Sequence, residues 1–119
     1  MKVRIHANSI RFRLKENETG LLSQREKISE VLEIGTEKDR LTFTLQVAGE
    51  SNFSCKQENN NFIFFLPRHV VSLWLKNNDA GFSQVIDAGS GRQLKLIVEK
   101  DFPCSHQDKQ EKTSGIQFH

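Results

Sequence analysis

The segment Lys2-Val3-Arg4-Ile5-His6-Ala7-Asn8-Ser9-Ile10-Arg11-Phe12-Arg13-Leu14 decides how the chain is read. Apolar residues recur every second position, the period of a strand with one buried face. Val3, Ile5 and Ala7 hold the odd positions, whereas Ile10, Phe12 and Leu14 hold the even ones. The phase slips by one residue within Ala7-Asn8-Ser9. An uncorrected slip would turn every later side chain to the opposite face, so a bulge or kink is expected at Asn8-Ser9. Lys2, Arg4, His6, Arg11 and Arg13 then share one face, opposite the apolar one.

Alternation organises the rest of the chain. Ile28 to Ile34 reads as a strand, and Leu41, Phe43, Leu45 and Val47 alternate with Thr42, Thr44 and Gln46. Phe53 and Cys55 continue in a further strand, and Glu58-Asn59-Asn60-Asn61 has the composition of a tight turn. Phe62-Ile63-Phe64-Phe65-Leu66 is apolar on both faces, as a central strand should be. Pro67 ends it and suits the start of a helix. Val70, Val71, Trp74 and Leu75 form a helical stripe, predicting an amphipathic helix over 67–76. Residues 82–88 and 93–98 read as strands around Gly89-Ser90-Gly91. Residues 16–25 suit a short helix or turn, stopped or kinked near Gly20.

The expected fold class is α+β, a mainly antiparallel sheet of about six to seven strands arranged in hairpins. The hairpins are 28–34 with 41–47, 53–57 with 62–66, and 82–88 with 93–99. No internal repeat is visible in the sequence. The expected core contains Ile5, Ile10, Phe12, Leu32, Phe43, Leu45, Phe64, Val71, Trp74, Leu96 and Val98. Residues 1–104 form the expected single domain, and 105–119 a polar, mobile tail that Ile116 and Phe118 could dock.

The 119 residues carry a formal net charge of +2, with 36% hydrophobic and 27% charged residues. That composition is globular rather than disordered, and the charge is too small to imply a polyanionic partner by itself. No apolar run approaches the roughly 18 residues of a membrane span, and no hydrophobic segment of a secretory signal follows Met1. Two cysteines, Cys55 and Cys104, make no disulfide framework. A reducing cytoplasm is therefore the expected setting, although one Cys55–Cys104 bridge stays open.

The chain resembles an uncharacterised bacterial family, a domain of unknown function. The resemblance rests on Met1-Lys2-Val3-Arg4-Ile5 through Asn8-Ser9-Ile10-Arg11-Phe12-Arg13-Leu14, matching M-K-I-R-I-x-x-N-S-I-R-L-R-L. It continues in Glu33-Ile34-Gly35, Leu41-Thr42-Phe43-Thr44-Leu45 and Phe64-Phe65-Leu66-Pro67, and ends in Val98-Glu99-Lys100-Asp101-Phe102-Pro103-Cys104. The family's acidic, proline-containing end is replaced here by Thr113-Ser114-Gly115-Ile116-Gln117-Phe118-His119. The resemblance implies a small intracellular bacterial protein and no particular reaction.

Three residue sets could carry chemistry. Arg4, Arg11 and Arg13, with Lys2, His6 and Asn8, could bind phosphate or carboxylate, which guanidinium matches bidentately. Acids on a neighbouring strand, such as Glu30 and Glu33, could instead neutralise them. Glu99 and Asp101 share a face and could hold a proton or a divalent cation, but the favoured reading is that they pair with Arg11 and Arg13, as they do if the first and last strands are neighbours. Cys104, His106 and His119 have weak zinc-ligand character, with Cys55 or His69 to complete a set, and Cys104 with His106 has weak nucleophile character.

The favoured expectation is a non-enzymatic binding protein whose basic strand face meets an acidic or phosphate-bearing partner. The alternative is a small hydrolase or metal-assisted enzyme using Glu99, Asp101 and Cys104/His106. No cofactor and no membrane partner are expected. Single-stranded nucleic acid is disfavoured, because the outward positions are charged rather than aromatic.

Overall fold

A computed structural model describes residues 1–49 and 51–103. The expected tail, 105–119, and the metal candidates Cys104, His106 and His119 lie outside the described residues. The opening segment is a hairpin of β1 (Lys2–His6) and β2 (Ser9–Leu14), not one bulged strand. Ala7 takes a left-handed φ of 52° in the tight turn. Reversal across a two-residue turn places Val3 opposite Phe12 and Ile5 opposite Ile10. Residues of opposite parity therefore share a face, and this produces the phase slip. The basic residues do share a face, as expected: Lys2 lies opposite Arg13 and Arg4 opposite Arg11.

Helix α1 (Glu16–Arg25) follows directly. The Lys15 backbone N–H donates to Glu18 Oε1 at 2.8 Å, closing the first turn. The helix passes through Gly20 without stopping, anchored by buried Thr19 and Leu22, and ends at Glu26 in the left-handed region. Next come β3 (Lys27–Leu32), a short 3-10 turn (Glu37–Asp39) and β4 (Leu41–Ala48). The second half repeats the pattern with β5 (Ser54–Glu58), β6 (Asn61–Pro67), α2 (Arg68–Lys76), β7 (Gly81–Gly89) and β8 (Arg92–Lys100).

Each half is thus hairpin, helix, hairpin, although the sequence shows no repeat. Residue numbers advance by one constant amount between Ala7 and Asn59, Asn8 and Asn60, Phe12 and Phe64, Leu14 and Leu66, Thr19 and Val71, and Leu22 and Trp74. The members of each pair play matching parts. Ala7 and Asn59 both take positive φ at the first turn position. The others from Phe12 onward are buried in both halves. The repetition lies in backbone pattern and burial rather than in residue identity, so composition conceals it.

The halves interlock. One sheet has the order β1-β2-β8-β7 and the other β3-β4-β6-β5, so each combines hairpins from both halves. The joining ladders, β2 with β8 and β4 with β6, are parallel. A mainly antiparallel sheet of six to seven strands is therefore replaced by two mixed four-stranded sheets. The antiparallel default governs strands joined by short connections, and the three expected hairpins obey it. The parallel partners are far apart in sequence, where that rule has no hold.

The inner faces of both sheets, with α1 and α2, enclose one core of Ile10, Phe12, Leu14, Leu22, Leu45, Val47, Phe64, Leu66, Val71, Trp74, Ile86, Leu96 and Val98. Phe12 meets its counterpart Phe64 edge to face, with centroids 5.4 Å apart. Phe43 is half-buried and stacks on Phe62. Ile5 and Leu32 depart from the expected core, at 61% and 51% exposure. Both sit on edge strands, near a turn or a strand end, where no opposing strand covers them.

The Trp74 indole packs edge-on to Phe82 at 5.3 Å and donates its N–H to Ala80 O at 3.3 Å. Trp74→Ala should destabilise the protein by about 3–5 kcal/mol. Urea unfolding measures this, and a loss below about 1 kcal/mol would contradict the described core.

Candidate functional site

The outer face of the β1-β2-β8-β7 sheet collects most of the residues singled out from the sequence. The hairpin register brings Lys2, Arg4 and His6 beside Arg13, Arg11 and Ser9. The parallel ladder then sets Glu99 beside Arg13, Ile97 beside Arg11 and Lys95 beside Ser9. Gly81 on β7 lies opposite Glu99. A Cβ there would stand 2.3 Å from the Val98 carbonyl oxygen and 2.9 Å from Glu99 Cγ, so glycine is required by close approach.

Charges alternate along this face. Arg11 Nη1 contacts Glu99 Oε2 at 2.5 Å. Arg13 Nη2 reaches Asp101 Oδ1 at 3.1 Å, and Lys2 Nζ reaches Asp101 Oδ2 at 3.2 Å. Arg13 Nε lies 3.6 Å from Glu99 Oε1, too long for a hydrogen bond, and is buried without a partner. Asp101 is held in place by its backbone N–H, which donates to Leu14 O at 2.6 Å. Glu99 and Asp101 thus interleave with three cations. The acids come from the last strand, and Glu30, on the other sheet, instead faces the Met1 ammonium at 3.0 Å.

The network ends before Arg4. This guanidinium is exposed, directly opposite Arg11, with no ion-pair or hydrogen-bond partner among the described residues. Like charges at directly paired strand positions are unfavourable. Lys95, on the same face, is likewise exposed and without an acidic partner among the described residues. It was missed as a site residue, though its place between inward-facing Leu94 and Leu96 already marks it as outward.

Two site candidates also make structural contacts. Asn8 is a turn latch: its side-chain amide donates to Gln93 O, and its carbonyl accepts from the Lys95 N–H at 3.1 Å. Asn60 does the same in the other half, donating to Lys38 O at 3.0 Å and accepting from the Thr42 N–H at 2.9 Å. His6 stands at the end of β1, where its carbonyl accepts from Ser9 Oγ at 2.8 Å. Cys55 is a free thiol among the described residues. Burial, with the Asp87 carboxylate adding to it, pushes the thiol pKa up and keeps it protonated, which disfavours attack. Among the described residues, no three His, Cys, Asp or Glu side chains cluster in a way that could hold a metal ion. No helix there is long and apolar enough to cross a membrane.

Fold and face together define a small α+β domain of two interlocked hairpin–helix–hairpin halves, with a salt-bridged basic strand on one outer sheet face. The chain belongs to a family of unknown function, DUF7009, which it matches over residues 1–117. No curated protein and no solved structure shows a significant match.

Glu99 is the hinge of the network, since among the described residues it alone contacts both Arg11 and Arg13. Glu99→Gln should cost roughly 1–2 kcal/mol in urea unfolding, because charge-assisted bonds to partly buried groups are lost. Lys2→Ala removes a far more exposed contact and should cost well under about 1 kcal/mol. Equal effects of the two substitutions would contradict this ordering.

Proposed function

We propose that the protein is a non-enzymatic binding module that uses the outer face of the β1-β2-β8-β7 sheet to engage an acidic or phosphate-bearing protein partner. The observation that carries this reading is Arg4, set against Arg11 with no acid to neutralise it among the described residues. An anionic group that takes the free Arg4 fork, and the Arg11 donors that its Glu99 bond leaves open, relieves their repulsion. Lys95 adds a third cation along the same face.

Arg13 supports the site rather than contacting the partner, because Glu99 and Asp101 already engage it. Those two carboxylates are taken up by cations, so neither stands ready as a free base or metal ligand. The face carries no aromatic side chain on its outward positions, which argues against stacked single-stranded nucleic acid. The setting we propose is a reducing bacterial cytoplasm, in which Cys55 stays a thiol.

Binding of a glutamate-rich peptide and of its phosphoserine-bearing counterpart, followed by fluorescence anisotropy across salt concentrations, tests the proposal. Arg4→Ala should weaken binding several-fold and flatten its salt dependence. Glu99→Gln should strengthen binding by removing a competing carboxylate. Affinity unchanged in Arg4→Ala, or absence of binding to both peptides, would overturn the reading.

A further inference from the structure

The two halves differ most where they connect their second hairpins. In the second half, β7 and β8 are joined by the tight turn Ser90-Gly91, with φ of 54° and 73°. In the first half, a loop of residues 33–40 joins β3 and β4 and carries the 3-10 turn. This loop stands against the β5–β6 turn, and the two border an open cleft of about 710 Å³. Glu37, Lys38, Arg40, Thr42, Glu58, Asn59, Asn60 and Asn61 line it, with no aliphatic or aromatic residue among them.

The walls are tied in place. Asn60 Nδ2 donates to Lys38 O at 3.0 Å, and Thr42 N–H donates to Asn60 O at 2.9 Å, so the latch bridges loop and turn. Asp39 Oδ2 accepts from the Thr36 N–H and from its hydroxyl, each at 3.0 Å, and bracing by these bonds holds its carboxyl pKa below the usual range. Gly35 has a φ of 66°, and a Cβ there would stand 2.6 Å from Asp39 Oδ2, so the brace requires glycine. The Gln57 side-chain amide donates to Asn59 O at 3.0 Å, which braces the turn side.

The lining chemistry selects the occupant. Glu58 is neutralised by Lys56 at 3.3 Å. Arg40 has no ion-pair or hydrogen-bond partner among the described residues. The free Arg40 guanidinium, with Lys38 also lining the cleft, suits a single phosphate or carboxylate. Asn61 Oδ1 already accepts from the Thr44 hydroxyl at 3.2 Å, which leaves its NH2 to donate; with the Asn59 amide, the Thr42 hydroxyl and the Glu37 carboxylate it offers the mixed donors and acceptors that hydroxyl groups satisfy. Most small-molecule pockets are largely apolar; a lining built from polar residues, with their polar surface predominant, rewards a mainly polar ligand.

We propose that this cleft is a binding site for a small polyhydroxylated anion, a sugar phosphate or a sugar acid. Arg40 takes the anionic group, and Asn59, Asn61, Thr42 and Glu37 take the hydroxyls. The site lies on the other sheet from Arg4 and stands independently of the anionic-partner reading.

The full chain, labelled with ¹⁵N, is titrated separately with glucose 6-phosphate, glucuronate, glucose and inorganic phosphate, with amide shifts as readout. Saturable shifts of residues 37–42 and 58–61 are expected with glucose 6-phosphate or glucuronate, at lower concentration than with glucose or inorganic phosphate. Arg40→Ala should weaken this binding about tenfold or more, the size of a lost charge-assisted hydrogen bond. Arg4→Ala should leave it unchanged. Arg40→Ala is an exposed substitution, and its spectrum outside the cleft reports whether the fold is intact. Three results overturn the proposal: no saturable shift with either sugar anion, binding no tighter than that of glucose or phosphate, or binding unaffected by Arg40→Ala.

Discussion

The edge-to-face contact of Phe12 with Phe64 joins two halves that cannot bury their apolar strands alone. Phe12 lies on β2 and Phe64 on the matching β6, so the contact falls where the halves meet as equivalents. β2 needs β8 as its neighbour, and β4 needs β6. Each half therefore completes both sheets of the other, and core formation in one depends on the other's presence. Aromatic pairs of this geometry contribute about 0.5–1.5 kcal/mol beyond burial. Here the contact also sets the register of the core, because Phe12 lies beside Val98 and Phe64 beside Leu45 in the two parallel ladders.

That register carries outward. Once Phe12 pairs with Val98, Arg13 must stand beside Glu99 and Arg11 beside Ile97. The salt-bridged face is thus a consequence of core packing, and the acids fall at one end of the basic strand. Lys2 and Arg13 share Asp101 there, while Arg4 at the other end is left with Arg11 opposite. A similar logic separates the two latches. Asn8 and Asn60 fasten their turns in the same way, yet the Asn60 latch meets a long loop, and there a polar cleft opens.

Much of the fold was legible from residues alone. The strands of the three expected hairpins, the stripe Val70, Val71, Trp74 and Leu75, and the shared basic face follow from periodicity, and the structure bears them out within a few residues. The phase slip at Ala7-Asn8-Ser9 was visible but ambiguous, since a bulge and a two-residue reversal both shift parity by one. Parallel pairing between distant strands leaves no local mark, so the two mixed sheets were not legible. The repeat was hidden because matched positions share burial rather than identity, as Leu22 and Trp74 illustrate. The pairing of Arg11 and Arg13 with Glu99 and Asp101 is the favoured reading of those residues from sequence, whereas Lys95 and the cleft residues depend on which strands become neighbours.

The most direct test of the interlocked halves is a double-mutant cycle between Phe12→Leu and Phe64→Leu, read by urea unfolding of the full chain. The two positions lie far apart in sequence and touch only if the halves meet as described. The expected result is a coupling energy of about 0.5–1.5 kcal/mol, with both single variants destabilised. Strictly additive losses would contradict the contact and, with it, the arrangement of the two sheets.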